Sequence, residues 1–276
     1  MVSSKKRWVW FAVLLVPTVI FVAPLIIVLY NSFKGQFTIA GQPFLPPNRE
    51  TFVGWENYRN GIRKIDFFAS AGYSLWITVG SVALIGLFTA MTAWYLVRFR
   101  NRFTTALYYA FVFSMVIPFQ MVMFTMSKTA NSLRLDNPWG ILLIYLGFGS
   151  GLSVFMYVGF LRSIPYSLEE AAVIDGCTPV QVFFRVILPL LRPISITIAI
   201  LNTMWIWNDY LLPYLVIGNR YKTIPIAVQY LQGGYGSRDM GALMAMLVLA
   251  ILPIIVFYLT CQKYIIRGIA AGAVKG

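Results

Sequence analysis

An all-α membrane protein that crosses the bilayer six times is the fold this sequence predicts, and three observations predict it. The first is composition. Of 276 residues, 59% are hydrophobic and only 11% charged, with a mean hydropathy of +0.74. A soluble domain carries about 25% charged residues, so this chain has too few polar groups to cover a surface in water. The second is a set of six apolar stretches, each near the roughly 20 residues that a helical crossing needs. The third is where the basic residues fall. They outnumber acids 22 to 9, for a net charge of +13, and sit mostly in the gaps between apolar stretches. In a soluble protein that excess would suggest nucleic acid. Between membrane spans it signals topology and contact with anionic lipid, with no nucleic-acid partner.

The stretches run over about 8–30, 71–97, 103–126, 139–161, 194–217 and 240–262. Each is expected to be a helix, because lipid offers no partner for an unpaired backbone group. The first follows Lys5-Lys6-Arg7 and superficially resembles a signal peptide. Its 23 apolar residues exceed a signal core and no small-residue cleavage site follows, so it is expected to be a retained span. The second carries Gly80, Ala83, Gly86 and Ala90, small residues that suit close helix packing. In the third, Pro118 can break the helix and free carbonyls beside Gln120, which makes Gln120 a candidate for the translocation path. The fifth holds Asp209 within Trp207-Asn208-Asp209-Tyr210. An acid inside a membrane is a functional candidate by default, and Asn208 and Trp207 join it. The competing reading puts Asp209 near the outer interface, solvated or paired. Thr78, Ser81, Thr89, Thr92, Ser114, Asn202 and Thr203 are expected to bond across helices or back to the main chain.

Orientation follows from the short basic clusters. Lys5–Arg7 and Arg98, Arg100 and Arg102 lie close to span ends and place those ends, and both termini, in the cytoplasm. Segment 162–193 is then cytoplasmic, and 31–70, 127–138 and 218–239 are extracytoplasmic. The first outer segment reads as an irregular aromatic loop with one interfacial helix after Gly61, and the last has a flexible tip at Gly233-Gly234-Tyr235. No internal repeat or linker divides residues 1–276, which are expected to form one membrane domain. Cys177 and Cys261 both fall on the cytoplasmic side, where a disulfide is not expected. The absence of histidine removes His-based triads, HExxH zinc sites and imidazole relays, and no metal site is expected.

Segment 168–189, LEEAAVIDGCTPVQVFFRVILP, is polar enough to lie in water between two spans. Ser167 and Glu170 have capping-box spacing, and Gly176 is placed to end that helix. Thr178, Pro179 and Gln181 repeat the start signal. Val180, Phe183, Phe184 and Ile187 form one apolar stripe on the second helix, and Pro189 is expected to stop it. A capped, half-apolar helix pair shown to water reads as a docking surface. The bland alternative is an amphipathic helix lying in the membrane interface.

Glu170-Ala171-Ala172, then Gly176, then Val186-x-Leu188-Pro189, resembles the EAA loop of bacterial ABC importer permeases. FVGWENYRN at 52–60, Ile117-Pro118, RSIPYSLEEAAVIDG at 162–176, the WNDY segment and the closing AAGAVKG extend the resemblance over nearly the whole chain. They resemble the smaller permease of maltose-type sugar importers, and within it the raffinose and multiple-sugar oligosaccharide permeases of Gram-positive bacteria. The resemblance implies the type I ABC importer permease fold with cytoplasmic coupling helices, in a bacterial cytoplasmic membrane. It implies a heterodimer with a second permease, two ATP-binding subunits below and an extracytoplasmic solute-binding protein above. Glu169, Glu170, Ala171, Ala172, Asp175, Gly176, Leu188 and Pro189 would then couple to the ATPase, with the motif glutamate pairing with a basic residue of that partner. The tail Gly272, Ala273, Val274, Lys275 and Gly276 would reach between the ATPase subunits. Gly233, Gly234 and Tyr235 would probe the binding protein's sugar site.

The chain contains neither a GxxxxGK[ST] loop nor GxGxxG. It is therefore expected to hold no cofactor and to be no enzyme itself, with ATP and magnesium bound by the partner ATPase. The rival reading is an ion-coupled secondary transporter, which needs several intramembrane carboxylates or matching broken helices in two halves.

Overall fold

The structure is a computed structural model that describes residues 4–218, 220–233 and 238–273, with side chains described for residues 8, 10–218, 220–233 and 238–263. All regular structure among the described residues is helical, apart from one antiparallel bridge between Lys34 and Phe52. Four helices are long and apolar enough to cross a membrane, and two bent pairs raise the number to six if each counts as one span. The backbone groups into two compact units, Met1–Ser70 with Ile224–Ile255, and Ala71–Thr223 with Val256–Gly276.

The first unit contains α1 (Ser4–Asn31), α2 (Gln36–Gly41), α3 (Glu56–Lys64), α13 (Ile224–Tyr230) and the first half of α14 (Met240–Ala273). Apolar side chains along α1 from Trp8 to Leu29 stay exposed, which only a lipid solvent tolerates. The segment after α1 is more ordered than its prolines and glycines suggest. Lys34 is 1% exposed, and its ammonium donates to the carbonyls of Gln42 at 2.6 Å and Leu45 at 2.9 Å. Asn57 donates to the carbonyls of Ser32 and Lys34, both at 2.8 Å. Phe33, Phe52, Trp55 and Tyr58 cluster around these bonds. The expected helix after Gly61 begins earlier, at Glu56, because Asn57 and Tyr58 are buried anchors of its first turn. Gly61 is instead a contact point. A Cβ there would lie 2.7 Å from the Met246 side chain.

The second unit contains α4 (Phe67–Arg98, from Ala71 on), α5 (Arg102–Ser114), α6 (Phe119–Ser132), α7 (Gly140–Leu161), α8 (Ser167–Ile174), the run α9 (Pro179–Val182) to α10 (Leu188–Leu190), α11 (Arg192–Asn208) and α12 (Leu211–Val216). The hydrophobic core cluster lies within it, with Tyr145, Tyr157, Ile85, Ile141 and Leu161 fully buried. Small residues let helices meet. A Cβ on Gly80 would lie 3.0 Å from Leu142, and one on Gly151 would lie 2.7 Å from the Ser114 hydroxyl. Gly86, by contrast, faces open space.

Two stretches expected as single helices are broken. Residues 103–126 divide into α5 and α6, bent by 106°. Pro118 cannot donate to the Ser114 carbonyl and forces Ile117 out of the helical region, so the chain turns there. Residues 194–217 divide at Asp209, whose backbone is extended (φ −73°, ψ 125°). A second bend of 75°, at Leu191, separates the run 179–190 from α11.

Asp239 begins α14. Its carboxylate accepts from the Ala242 N–H at 2.9 Å and pairs with Lys64. Partial burial alone would raise its pKa, but the Lys64 hydrogen bond, the Ala242 N–H and the Lys64 charge together hold it below the usual carboxylate value. A depressed carboxyl stabilises above its unfolded-state pKa of about 3.9 and loses that contribution as pH falls through the lower folded value. Asp239→Ala is expected to cost about 1 kcal/mol at pH 7, mostly through the lost cap. Thermal unfolding in detergent micelles should show that gap closing as pH drops below about 4.

Candidate functional site

The hairpin of α8 to α10 is the most distinctive surface of the second unit. Its turn follows from local chemistry. Gly176 sits at φ 83°, its N–H bonding Val173 O and the Cys177 N–H bonding Ala172 O, both at 2.9 Å. These are the paired bonds of a Schellman stop. Thr178 then opens the next helix with the expected capping box. Its N–H donates to Gln181 Oε1 at 2.8 Å, and its hydroxyl accepts from the Gln181 N–H at 3.4 Å. The expected box at Ser167 does not form, since Tyr166 occupies the N-cap and no side chain caps α8.

The second helix also differs from the sequence reading. Residues Phe183–Ile187 form a π-helical turn, closed by Leu188 N–H to Phe183 O. Pro189 does not stop the helix, which continues to Leu190. Pro189 has no N–H for the Arg185 carbonyl and its ring crowds that carbonyl, so the preceding turn widens instead. The widened turn resets the buried face. Val182, Phe183 and Ile187 point inward, while Val180 and Phe184 remain exposed.

Glu169 and Glu170 part company. Glu170 is exposed, with Ala171, Asp175 and Gly176, whereas Glu169 is 5% exposed and Ala172 is buried beneath it. Glu169 Oε1 accepts from Arg98 Nε at 2.6 Å, and Oε2 accepts from Trp94 Nε1 at 2.9 Å. Glu169 is therefore held within the chain. Leu188 is half-buried and Pro189 exposed. Arg98 and Trp94 are partners the sequence reading missed. Their i, i+4 spacing on α4 puts them on one face, but Arg98 served there only as a topology marker. Beside Glu170, the outer surface carries apolar side chains that water disfavours, with Ile174 85% and Val180 66% exposed and Val173 and Phe184 also open.

The second candidate cluster is at the break after α11. Asp209 caps α12, its Oδ1 accepting from the N–H groups of Leu211 at 3.1 Å and Leu212 at 3.4 Å. Its Oδ2 accepts from the Tyr145 hydroxyl at 3.0 Å, and Trp205 packs edge-on against the Tyr145 ring. The acid is thus paired. Asn208 is exposed and donates to Met204 O at 2.7 Å, and Trp207 is half-buried. Gln120 is exposed on the first turn of α6 and makes no side-chain hydrogen bond among the described residues, so no bond joins it to Asp209. Thr89, Thr92 and Ser114 bond to their own helices, and Asn202 reaches Ser153 across α7 and α11 at 3.3 Å. Gly233 is exposed at φ 78°. Gly234 and Tyr235, with Val274, Lys275 and Gly276, lie outside the described residues, and Gly272 and Ala273 are described only as helical backbone.

Helices that need lipid, joined to a capped hairpin with an exposed apolar face, define a polytopic membrane protein of the permease class. Residues 82–271 match the binding-protein-dependent transport system inner membrane component family, and the chain belongs to it. It is 38% identical over 262 residues to the probable starch degradation products transport system permease protein of Thermoanaerobacterium thermosulfurigenes, covering 95% of this chain and 94% of that one. It is 33% identical to the multiple sugar-binding transport system permease protein of Streptococcus mutans, covering 99% of each. It is 30% identical to the melibiose/raffinose/stachyose import permease protein of Bacillus subtilis, covering 92% and 91%. The fold also matches a chain in the crystal structure of a bacterial ABC transporter involved in import of the acidic polysaccharide alginate. That match has TM-score 0.79 and 23% identity, covering 96% of this chain and 99% of that one.

Nothing lies within 4 Å of a Cβ built on Gly176, so a substitution there meets backbone strain alone. Gly176→Ala is expected to cost about 1 kcal/mol, the penalty for a left-handed L-residue. Hydrogen exchange should quicken at hairpin amides 173–182 and stay unchanged in α7.

Proposed function

We propose that this chain is a permease subunit that imports a carbohydrate, an oligosaccharide, delivered by an extracytoplasmic solute-binding protein. Relatives that transport starch products, multiple sugars and raffinose-type sugars support the carbohydrate reading. The observation that carries the mechanism is the exposed face of the hairpin. Glu170 stands beside open apolar residues on a helix pair whose turn is capped from both sides. That surface suits a cleft on an ATP-binding subunit, with Glu170 meeting a basic residue there. Two such subunits, with ATP and magnesium, supply the free energy, and a second permease completes the path. Both termini and the hairpin are cytoplasmic in this reading. The tail Gly272–Gly276 is assigned in this reading to the ATPase pair, and the loop Gly233–Tyr235 to the binding protein.

Closure of the ATPase pair moves the docked hairpin as a lever. The spans then exchange inward- and outward-facing packings around a cavity. Loaded binding protein contributes only by preferring one of those packings. Asn208, Trp207 and Gln120 are the candidates for lining the path. Asp209 is occupied as a cap, which weakens the secondary-transporter reading, since that needs an acid free to bind a coupling ion.

Glu170→Lys and Gly176→Pro are expected to reduce ATPase co-purification at least tenfold and to abolish uptake of labelled maltotriose or raffinose. Uptake by the unaltered protein should respond to ATP depletion and not to an uncoupler. Normal transport in either variant would defeat the docking reading.

A further inference from the structure

Two adjacent glutamates begin the hairpin, and only one faces outward. The buried one, Glu169, has both carboxylate oxygens engaged by α4, by Arg98 Nε at 2.6 Å and Trp94 Nε1 at 2.9 Å. Arg98 also donates from Nη2 to Ile164 O at 3.3 Å and lies over the Tyr166 ring at 5.5 Å, so it holds the chain entering the hairpin. The Trp94 ring lies 5.5 Å from that of Phe183, on the π-helical turn of the hairpin's second helix. One turn of α4 therefore grips the entry, the first helix and the second helix together.

We infer that Glu169, Arg98 and Trp94 form the joint through which displacement of the hairpin enters α4. The inference rests on the docking reading above and deepens it, assigning to Glu169 a positioning role distinct from that of the docked Glu170. A lever moves a span only where the two are joined more firmly than the loop between them. Apolar contacts such as Ala172 and Val182 fix distance but resist sliding weakly. A carboxylate held from two directions by charge-assisted and indole hydrogen bonds fixes direction as well. Burial strengthens those bonds, because water does not compete for them. Beyond the joint, α4 is one continuous helix of 32 residues, so its end cannot shift without carrying the span. Glu169 is buried against α4 and acts through it.

The test uses the complete transporter in liposomes, with its ATPase, second permease and binding protein, and labelled maltotriose or raffinose as cargo. Sugar imported and ATP hydrolysed are measured together. Glu169→Ala is expected to keep ATP hydrolysis within twofold while sugar imported per ATP falls at least tenfold. An unchanged ratio, or a proportional fall in both quantities, overturns the joint, since misfolding lowers both and uncoupling does not. If Glu169→Ala fails to assemble, Trp94→Phe decides. It keeps a smaller aromatic ring at that position and removes the Nε1 donor with the five-membered ring that carries it, and a threefold fall in the ratio is expected, an unchanged ratio overturning the proposal. Failure of the docking reading shows itself elsewhere, in an unaltered chain that retains no ATPase subunit or takes up neither sugar.

Discussion

Every backbone N–H and C=O that enters lipid must find its partner inside the protein, and the rest of this structure follows from that constraint. It explains why regular structure among the described residues is helical. It also explains what happens where a helix breaks. At Asp209 the chain leaves the helical region, and the carboxylate takes up the first free N–H groups of α12. At the start of α5, Asn101 and Thr104 cap each other's backbone. At Pro118 the Ser114 hydroxyl turns back on the Phe111 carbonyl. Asp209 and Ser114, which look like candidate ligands in a hydrophobic sequence, are here engaged in repairing the backbone.

The same constraint sets how much was legible beforehand. Apolar length predicts α1, α4 and α7 to within about four residues, because a span must be about 20 residues whatever it packs against, whereas α14 runs on to Ala273, past the expected end at 262. Gly176 and the Thr178–Gln181 box were readable because both act within four residues of chain. The Ser167 box failed for a tertiary reason. The chain entering α8 is tied to Arg98 through Ile164 and Tyr166, and Tyr166 takes the cap position with helical dihedrals. The bend at Pro118 was foreseeable as a break but not as a 106° turn, since its angle depends on what α6 packs against. Ser127 of α6 bonds the Leu215 carbonyl of α12 at 2.8 Å, a contact 88 residues distant in sequence.

The hairpin divides its residues by face more finely than its motif suggests. Within one turn, Glu169 and Ala172 face the protein while Glu170 and Ala171 face away. Spacing alone cannot distinguish two neighbouring acids, because the distinction depends on Trp94 and Arg98, more than 70 residues earlier. Burial of one and exposure of the other give a hairpin attached to its own chain on one side and available on the other. The proposed lever needs both properties, and the sequence supplies them with a pair of identical side chains.

The π-helical turn gives the distance between Gly176 and Pro189 a geometric meaning. A π turn holds one residue more than an α turn at that point. The wider turn takes up that residue without turning the helix beyond it, whereas the same residues wound as a plain α turn would rotate everything beyond by about 100°, the angle per residue of an α-helix. The chain would then enter α11 on the wrong heading. The width of this turn works as a gauge block: the same groups wound one step tighter would be out of true.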